Sequence, residues 1–300
     1  MKPFDPYSIV IAVNQLADVV NEASQTNLFK DYFMPVFVVI LSSITAYIIA
    51  IRGYQFQEAA KNERMKADSL NSIVLKMQSM QASLIATKQN YFESLGSHPI
   101  QRAFNVPIMP NRLEYANFAA NELAQLLYTK NHDIDKYPWM NIASSYVSTF
   151  GNFNMFIEIL KIRNELDKEA KHQLAPLIAG SGVRGEISII EVAKLLDESL
   201  MMKYIDLTEK FIVLVDDLLE TLNDFMINTP QETNGLLKKK YLKNYVFLTG
   251  YENKSEWFLK LLKRCPSVDL AQLGHFMKFD EEETRRMYVE NSVVITTPKE

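Results

Sequence analysis

Between Asp31 and Arg52 the chain runs for 20 residues, Tyr32 to Ile51, without a charge. A helix of that length, at about 1.5 Å per residue, reaches roughly 30 Å, the thickness of a bilayer's hydrocarbon core. Its polar interruptions, Ser42, Ser43 and Thr45, are hydroxyls that can bond back to their own helix carbonyls. The run therefore predicts a single transmembrane helix over 32–51, with a buried core helix as the alternative. Ahead of it, Ile9, Val10, Val13, Leu16, Val19 and Val20 recur at helical spacing opposite Asn14, Gln15, Asp18 and Asn21. That pattern predicts a short amphipathic helix within 1–31, lying on a membrane surface or against a partner's span.

After the span, residues 54–68 are polar nearly all round, as in a helix leaving a bilayer for water. Leu70, Ile73, Met77, Met80, Leu84, Thr87 and Tyr91 then follow alternating three- and four-residue steps. A seam so narrow needs a second helix. It predicts a helical stalk over 52–98 that pairs as a coiled coil through Ile73, Met77, Met80, Leu84 and Tyr91, making a homo-oligomer. Packing on the chain's own domain is the rival reading. Pro99, Pro107 and Pro110 follow Gly96, and because each proline excludes helix from the residue before it, a domain boundary is expected there.

Beyond the prolines every long pattern is helical, giving an all-α bundle over 99–300. A helix is expected near Leu113–Lys130. The next carries an aromatic stripe of Trp139, Ile142, Tyr146, Phe150, Phe153, Ile157 and Leu160, a core face by its large rings. A long amphipathic helix is expected from about Glu186 to Ile227, with Ser188 and Glu191 as a capping box and Pro230 as its stop. A Lys-rich helix near Asn234–Leu248 and short helices opening at Ser255 and Asp280 complete the pattern. The β-branched end, SVVITTPKE, is too short to make a sheet alone.

Composition agrees with a helical chain, with nine Gly and eleven Pro in 300 residues. Net charge is only −4, too mild to imply a nucleic-acid partner. Cys265 is the single cysteine, so neither an intrachain disulfide nor a multi-cysteine zinc site can form. Lacking a His or Asn partner, it reads as an inert thiol. Positive charge follows the span at Arg52, Lys61, Arg64 and Lys66, against Lys2 and Lys30 before it. The positive-inside rule then places the N-terminus outside and residue 52 onward in the cytoplasm.

Candidate chemistry is sparse. Gly180, Gly182 and Gly185 fit G-x-G-x-x-G literally, but no strand precedes them, so they read as a helix-to-helix loop. Asn131, His132, Asp133 and Asp135 include metal-binding types without histidine spacing to fix a first shell. No cofactor motif occurs. Charge is segregated instead: Glu186–Asp224 holds ten acidic residues against three lysines, and Leu236–Arg264 holds eight basic residues against two acidic. Mutual neutralisation of the two segments is the simplest account. The alternative is a basic-aromatic surface of Lys238, Lys239, Lys240, Tyr241, Lys243 and Tyr245 that holds an anionic lipid, ahead of nucleic acid.

The sequence thus describes a single-pass protein of the cell membrane whose cytoplasmic helical domain senses or recruits an unidentified protein partner. A membrane-acting effector, forming a pore or perturbing the bilayer, is the alternative. An enzyme with an unrecognised site is the third reading.

Overall fold

A computed structural model describes residues 6–24, 28–109, 113–117, 119–127, 139–181, 188–248 and 250–290. The protein is all-α; no strand occurs among the described residues. The chain divides into two units, residues 1–62 and 63–300.

The first unit holds α1 (Pro6–Ser24), a π-helical turn at Phe29–Phe33, and the start of α2 (Met34–Lys88). Pro35 follows the π-helical turn directly and, having no N–H, cannot bond the carbonyl one turn back, which falls within that turn. From Leu28 to Glu58 every residue is exposed; Ile40 is 53% and Ile49 66% accessible. Ser43 Oγ donates to Val39 O and Thr45 Oγ1 to Leu41 O, both at 2.8 Å, so these hydroxyls are satisfied within the helix. Among the described residues this one helix is long and apolar enough to cross a membrane, and none of its apolar window is buried by them.

The second unit begins at Glu63, inside the stretch expected to be a stalk. Ile73, Met77, Met80, Leu84 and Tyr91 are at most 3% exposed and share a core with Phe156, Phe211 and Leu219. The face expected to pair stalks is thus covered by the chain itself. Near-3.5-residue spacing requires an apolar partner without saying whose, and here the seam belongs to one core with side chains of α5 (Trp139–Gln173) and α8 (Glu198–Asn234). The proline-rich stretch is no boundary either. Pro99 opens the short helix α3 (Pro99–Asn105), which His98 caps by accepting from Ile100 N at 3.2 Å, and Ile100, Ala103, Val106 and Met109 are all buried.

Around α5 and α8, which pack directly on each other, stand α4 (Ala120–Leu127), α6 (Ala175–Ser181), α7 (Ile189–Leu195), α9 (Glu256–Leu262), α10 (Leu270–Met277) and α11 (Glu281–Arg285). The aromatic stripe of α5 is core as expected: Tyr146, Phe150, Phe153, Ile157 and Leu160 are buried. The side chains of Trp139 and Ile142 lie outside the described residues. A second apolar cluster joins α3, α7 and α10 to the ends of α5 and α8 through Ala170, Leu196, Tyr204 and Leu273. Where α10 meets α11 the approach is close, since a Cβ on Gly274 would lie 2.8 Å from Thr284 Oγ1.

Several expected boundaries shift. The long acidic helix starts at Glu198, capped by Asp197, after the separate α7. Ser188 does stand at the N-cap of α7, but its side chain makes no cap bond. Pro230 does not stop α8; one further turn follows, in which Thr233 Oγ1 donates to Thr229 O at 2.7 Å. The Lys-rich helix is replaced by a single 3₁₀ turn, Lys239–Tyr241, because the buried residues of this segment, Leu237 and Leu242, are five apart and cannot share one helix face. Ser255 and Asp280 cap α9 and α11 as expected. Residues 131–135, 182–185 and the β-branched end lie outside the described residues.

A fragment of residues 63–300 should therefore fold as a soluble helical domain, whereas residues 100–300, deprived of Leu70, Met77, Leu84 and Tyr91, should not unfold cooperatively. Circular dichroism with thermal melts of both fragments checks this.

Candidate functional site: buried ion pairs and cavities along helix α8

The acidity of α8 is carried partly on its buried side. Glu209, Asp216 and Asp217 are 2%, 4% and 7% exposed, and charges so placed require cations and hydrogen bonds. Arg102 of α3 meets Glu209 through two bonds, Nε to Oε1 at 2.8 Å and Nη2 to Oε2 at 3.0 Å. Its remaining guanidinium nitrogen donates to Gly96 O and Pro266 O at 3.1 and 2.7 Å. Lys88, the last residue of α2, reaches Asp216 at 2.6 Å and Lys263 O at 2.6 Å. Arg264 pairs with Asp217 and, at 3.2 Å, with Glu220.

The expected neutralisation between the acidic helix and the basic segment is thus partial. Arg264 takes part, while Lys88 and Arg102 come from elsewhere. Lys238, Lys239, Lys240 and Lys243 are exposed on a segment lying along α2. There Lys238 N donates to Glu63 at 2.9 Å, Tyr245 OH to Asp68, and Leu248 N to Asn71 at 2.9 Å. The structure brings Tyr241 and Tyr245 beside cations, with Lys240 Nζ 4.6 Å and Arg64 Cζ 5.8 Å from the respective ring centroids.

Arg163 builds a second buried network. Fully enclosed on α5, it donates to Ala103 O at 2.8 Å, to Val106 O and to Pro107 O at 3.2 Å, meeting carbonyls that the end of α3 leaves without helical partners. It also meets Tyr204 OH at 3.1 Å and Thr208 Oγ1 at 3.3 Å, and lies 3.7 Å from Asp167. Tyr204 OH bonds Ala103 O at 2.6 Å and Asp167. Burial pulls the Arg163 pKa down and pushes that of Tyr204 up.

Two cavities flank this helix. One, of about 250 Å³, lies between α5 and α8, with Met155, Leu214 and Leu218 as apolar wall and Asn152 and Thr221 among its polar groups. The other, of about 350 Å³, is lined by Arg102, Glu209, Asp216, Arg264 and Cys265. Burial, with the Asp216 carboxylate beside it, pushes the Cys265 thiol up to about 12, so it is a protonated thiol at neutral pH and a poor nucleophile. No group of three or more His, Cys, Asp or Glu able to hold a metal occurs among the described residues.

Lys88, Arg102 and Arg163 escape a reading by composition, yet two of them carried a signal. Lys88 lies four residues after Leu84, and Arg163 with Asp167 continues the stripe of Phe156 and Leu160 in steps of three and four. A charge on an apolar stripe marks a buried pair. No family model, no curated protein and no solved structure matches the chain.

Replacing Arg163 by Ala leaves Val106 O and Pro107 O without this donor and takes one cation from Asp167, which keeps Lys171 at 2.7 Å, and should destabilise the domain by about 1 to 3 kcal/mol, read from urea or thermal unfolding of residues 63–300. Acid has the opposite effect over one window. Burial raises Glu209 above 4.5 and Asp217 and Asp224 above 3.8, so the folded state binds protons more tightly than the unfolded chain just above those values. Stability is then gained as pH falls from neutrality into that window. Burial lowers the His98 pKa and opposes this gain as pH falls through about 6.5, so the effect is read in an H98N variant, whose urea midpoint should rise as pH falls from neutrality towards the carboxylate range.

Proposed function

We propose that the chain is a single-pass membrane protein whose helical domain, held at the cytoplasmic face, senses or recruits a protein partner. One observation carries this reading: α2 contains both an apolar stretch that none of the described residues covers and, from Ala67 to Lys88, a stretch with one side buried in a core. An apolar helix left in water would forgo burial of its large side chains, about 1.5–3 kcal/mol each, and a bilayer removes that cost. The charges after the span, Arg52, Lys61, Arg64 and Lys66, favour the cytoplasmic side for the domain. Because the seam of α2 is spent inside the chain, this reading does not draw on an oligomer formed through it.

A second reading, a membrane-acting effector, rests on the first unit. The described apolar side chains of α1 are exposed, Leu16 at 68%, and Phe29, Phe33 and Phe37 stack in sequence with centroids 5.1 and 6.1 Å apart. This ridge is suited to packing against other membrane helices. Ion leakage from cells producing the protein distinguishes the effector, which leaks, from the recruiter, which does not.

Replacing Ile44 and Ile49 together by Arg places two charges in the span, each costing about 2.5 to 3.5 kcal/mol on insertion scales. The variant should leave the membrane fraction on carbonate extraction or fail to accumulate. A variant that resists extraction like the parent removes the anchor.

A further inference from the structure

We propose that Arg64, Lys238, Lys239, Lys240 and Lys243 form a binding site for the anionic headgroups of a phospholipid membrane; the inference rests on the anchor reading above. Buried Leu237 and Leu242 fix the segment that carries the lysines, while the four lysines between and beside them are exposed. The segment runs parallel to α2, from Lys238 at Glu63, through Tyr245 at Asp68, to Leu248 at Asn71. That course delivers the lysines to Glu63, the first residue of the second unit. In the sequence Glu63 follows Ile51, the end of the span, by twelve residues, a stretch short enough to keep the lysines within reach of a membrane surface.

None of the five cations forms an ion pair among the described residues. The acids beside them are already committed: Glu63 pairs with Lys66 at 3.1 Å and accepts from Lys238 N, and Asp68 accepts from Tyr245. Several lysines elsewhere in the unit are matched locally, among them Lys161 by Glu158, Lys168 by Glu165 and Lys210 by Asp206. An unmatched positive cluster with a half-buried tyrosine beneath Lys240 has the chemistry of a headgroup site, where cations meet phosphates and amphipathic rings sit at the interface. Headgroups extend about 6 Å beyond the hydrocarbon, and their field persists for a further Debye length, about 8–10 Å at physiological salt. Flexible lysine side chains bridge the rest, and tilt of the span shortens the path.

The test uses the full chain in nanodiscs of phosphatidylcholine alone or with about 30% phosphatidylglycerol, the second supplying the anionic surface. Acetylation of individual lysines is followed by mass spectrometry. Lys239, Lys240 and Lys243 should react several-fold more slowly in the anionic discs and regain their reactivity at about 0.5 M salt, where the field is screened. Lys168, exposed on α5, should react alike in both. Equal reactivity of the cluster in the two discs overturns the inference and leaves the anchor standing. Protection conferred in neutral discs by added single-stranded RNA, without dependence on lipid charge, overturns it in favour of a nucleic acid. A chain that does not enter discs at all removes the anchor, and this site with it.

Discussion

Carboxylates on the buried side of α8 constrain everything packed around them. A charge in an apolar interior is tolerated only when a cation and further hydrogen bonds meet it there, and the cations for Glu209, Asp216 and Asp217 come from Arg102, Lys88 and Arg264. These belong to α3, the end of α2 and the connection after α9, stretches far apart in sequence. Each pair adds little over an apolar replacement, but a wrong register would strand buried charges. The row of acids thus discriminates between registers where the apolar contacts of Leu, Met and Phe would not. Arg163 extends the same logic to the backbone by gathering the carbonyls at the end of α3.

What could be read from the sequence follows from how local each signal is. The aromatic stripe of α5 and the caps at Ser255 and Asp280 are written in residues three or four apart, and they appear where the pattern places them. α10, capped by Asp269, was not anticipated, although the same type of cap was there to be read. The stretch 234–248 misled because its composition suits a helix while its two buried residues do not share a helical face. The seam of α2 was correctly located as a buried stripe, but the identity of the helix that covers it is a long-range fact, set by α5 and α8 more than 50 residues away.

The candidate site was less legible than the fold. Segregated charge was visible, but a count of charges over a segment says nothing about which side chains are buried. Lys238, Lys239 and Lys240 contribute as much to that count as Arg264, yet only Arg264 meets α8. The informative quantity is position on an apolar stripe, which Lys88, Arg163 and Asp167 occupy and the exposed lysines do not.

Helix α2 joins these observations because it changes its environment along its length without a break in its hydrogen bonding. From Met34 to Ile51 apolar residues cover all sides, and hydroxyls are satisfied internally at Ser43 and Thr45, so this stretch needs no polar neighbour. Near Glu63 the pattern narrows to a single stripe, and polar groups on its flanks become the means of holding other chain segments, through Glu63, Asp68 and Asn71. Those three bonds hold residues 238–248 along α2 as a 3₁₀ turn and a following turn, not as a regular helix. With Leu237 and Leu242 turned inward, the lysines are exposed together. The exposure of these lysines is therefore set by the packing of Leu237 and Leu242, as much as by the lysine content of the segment.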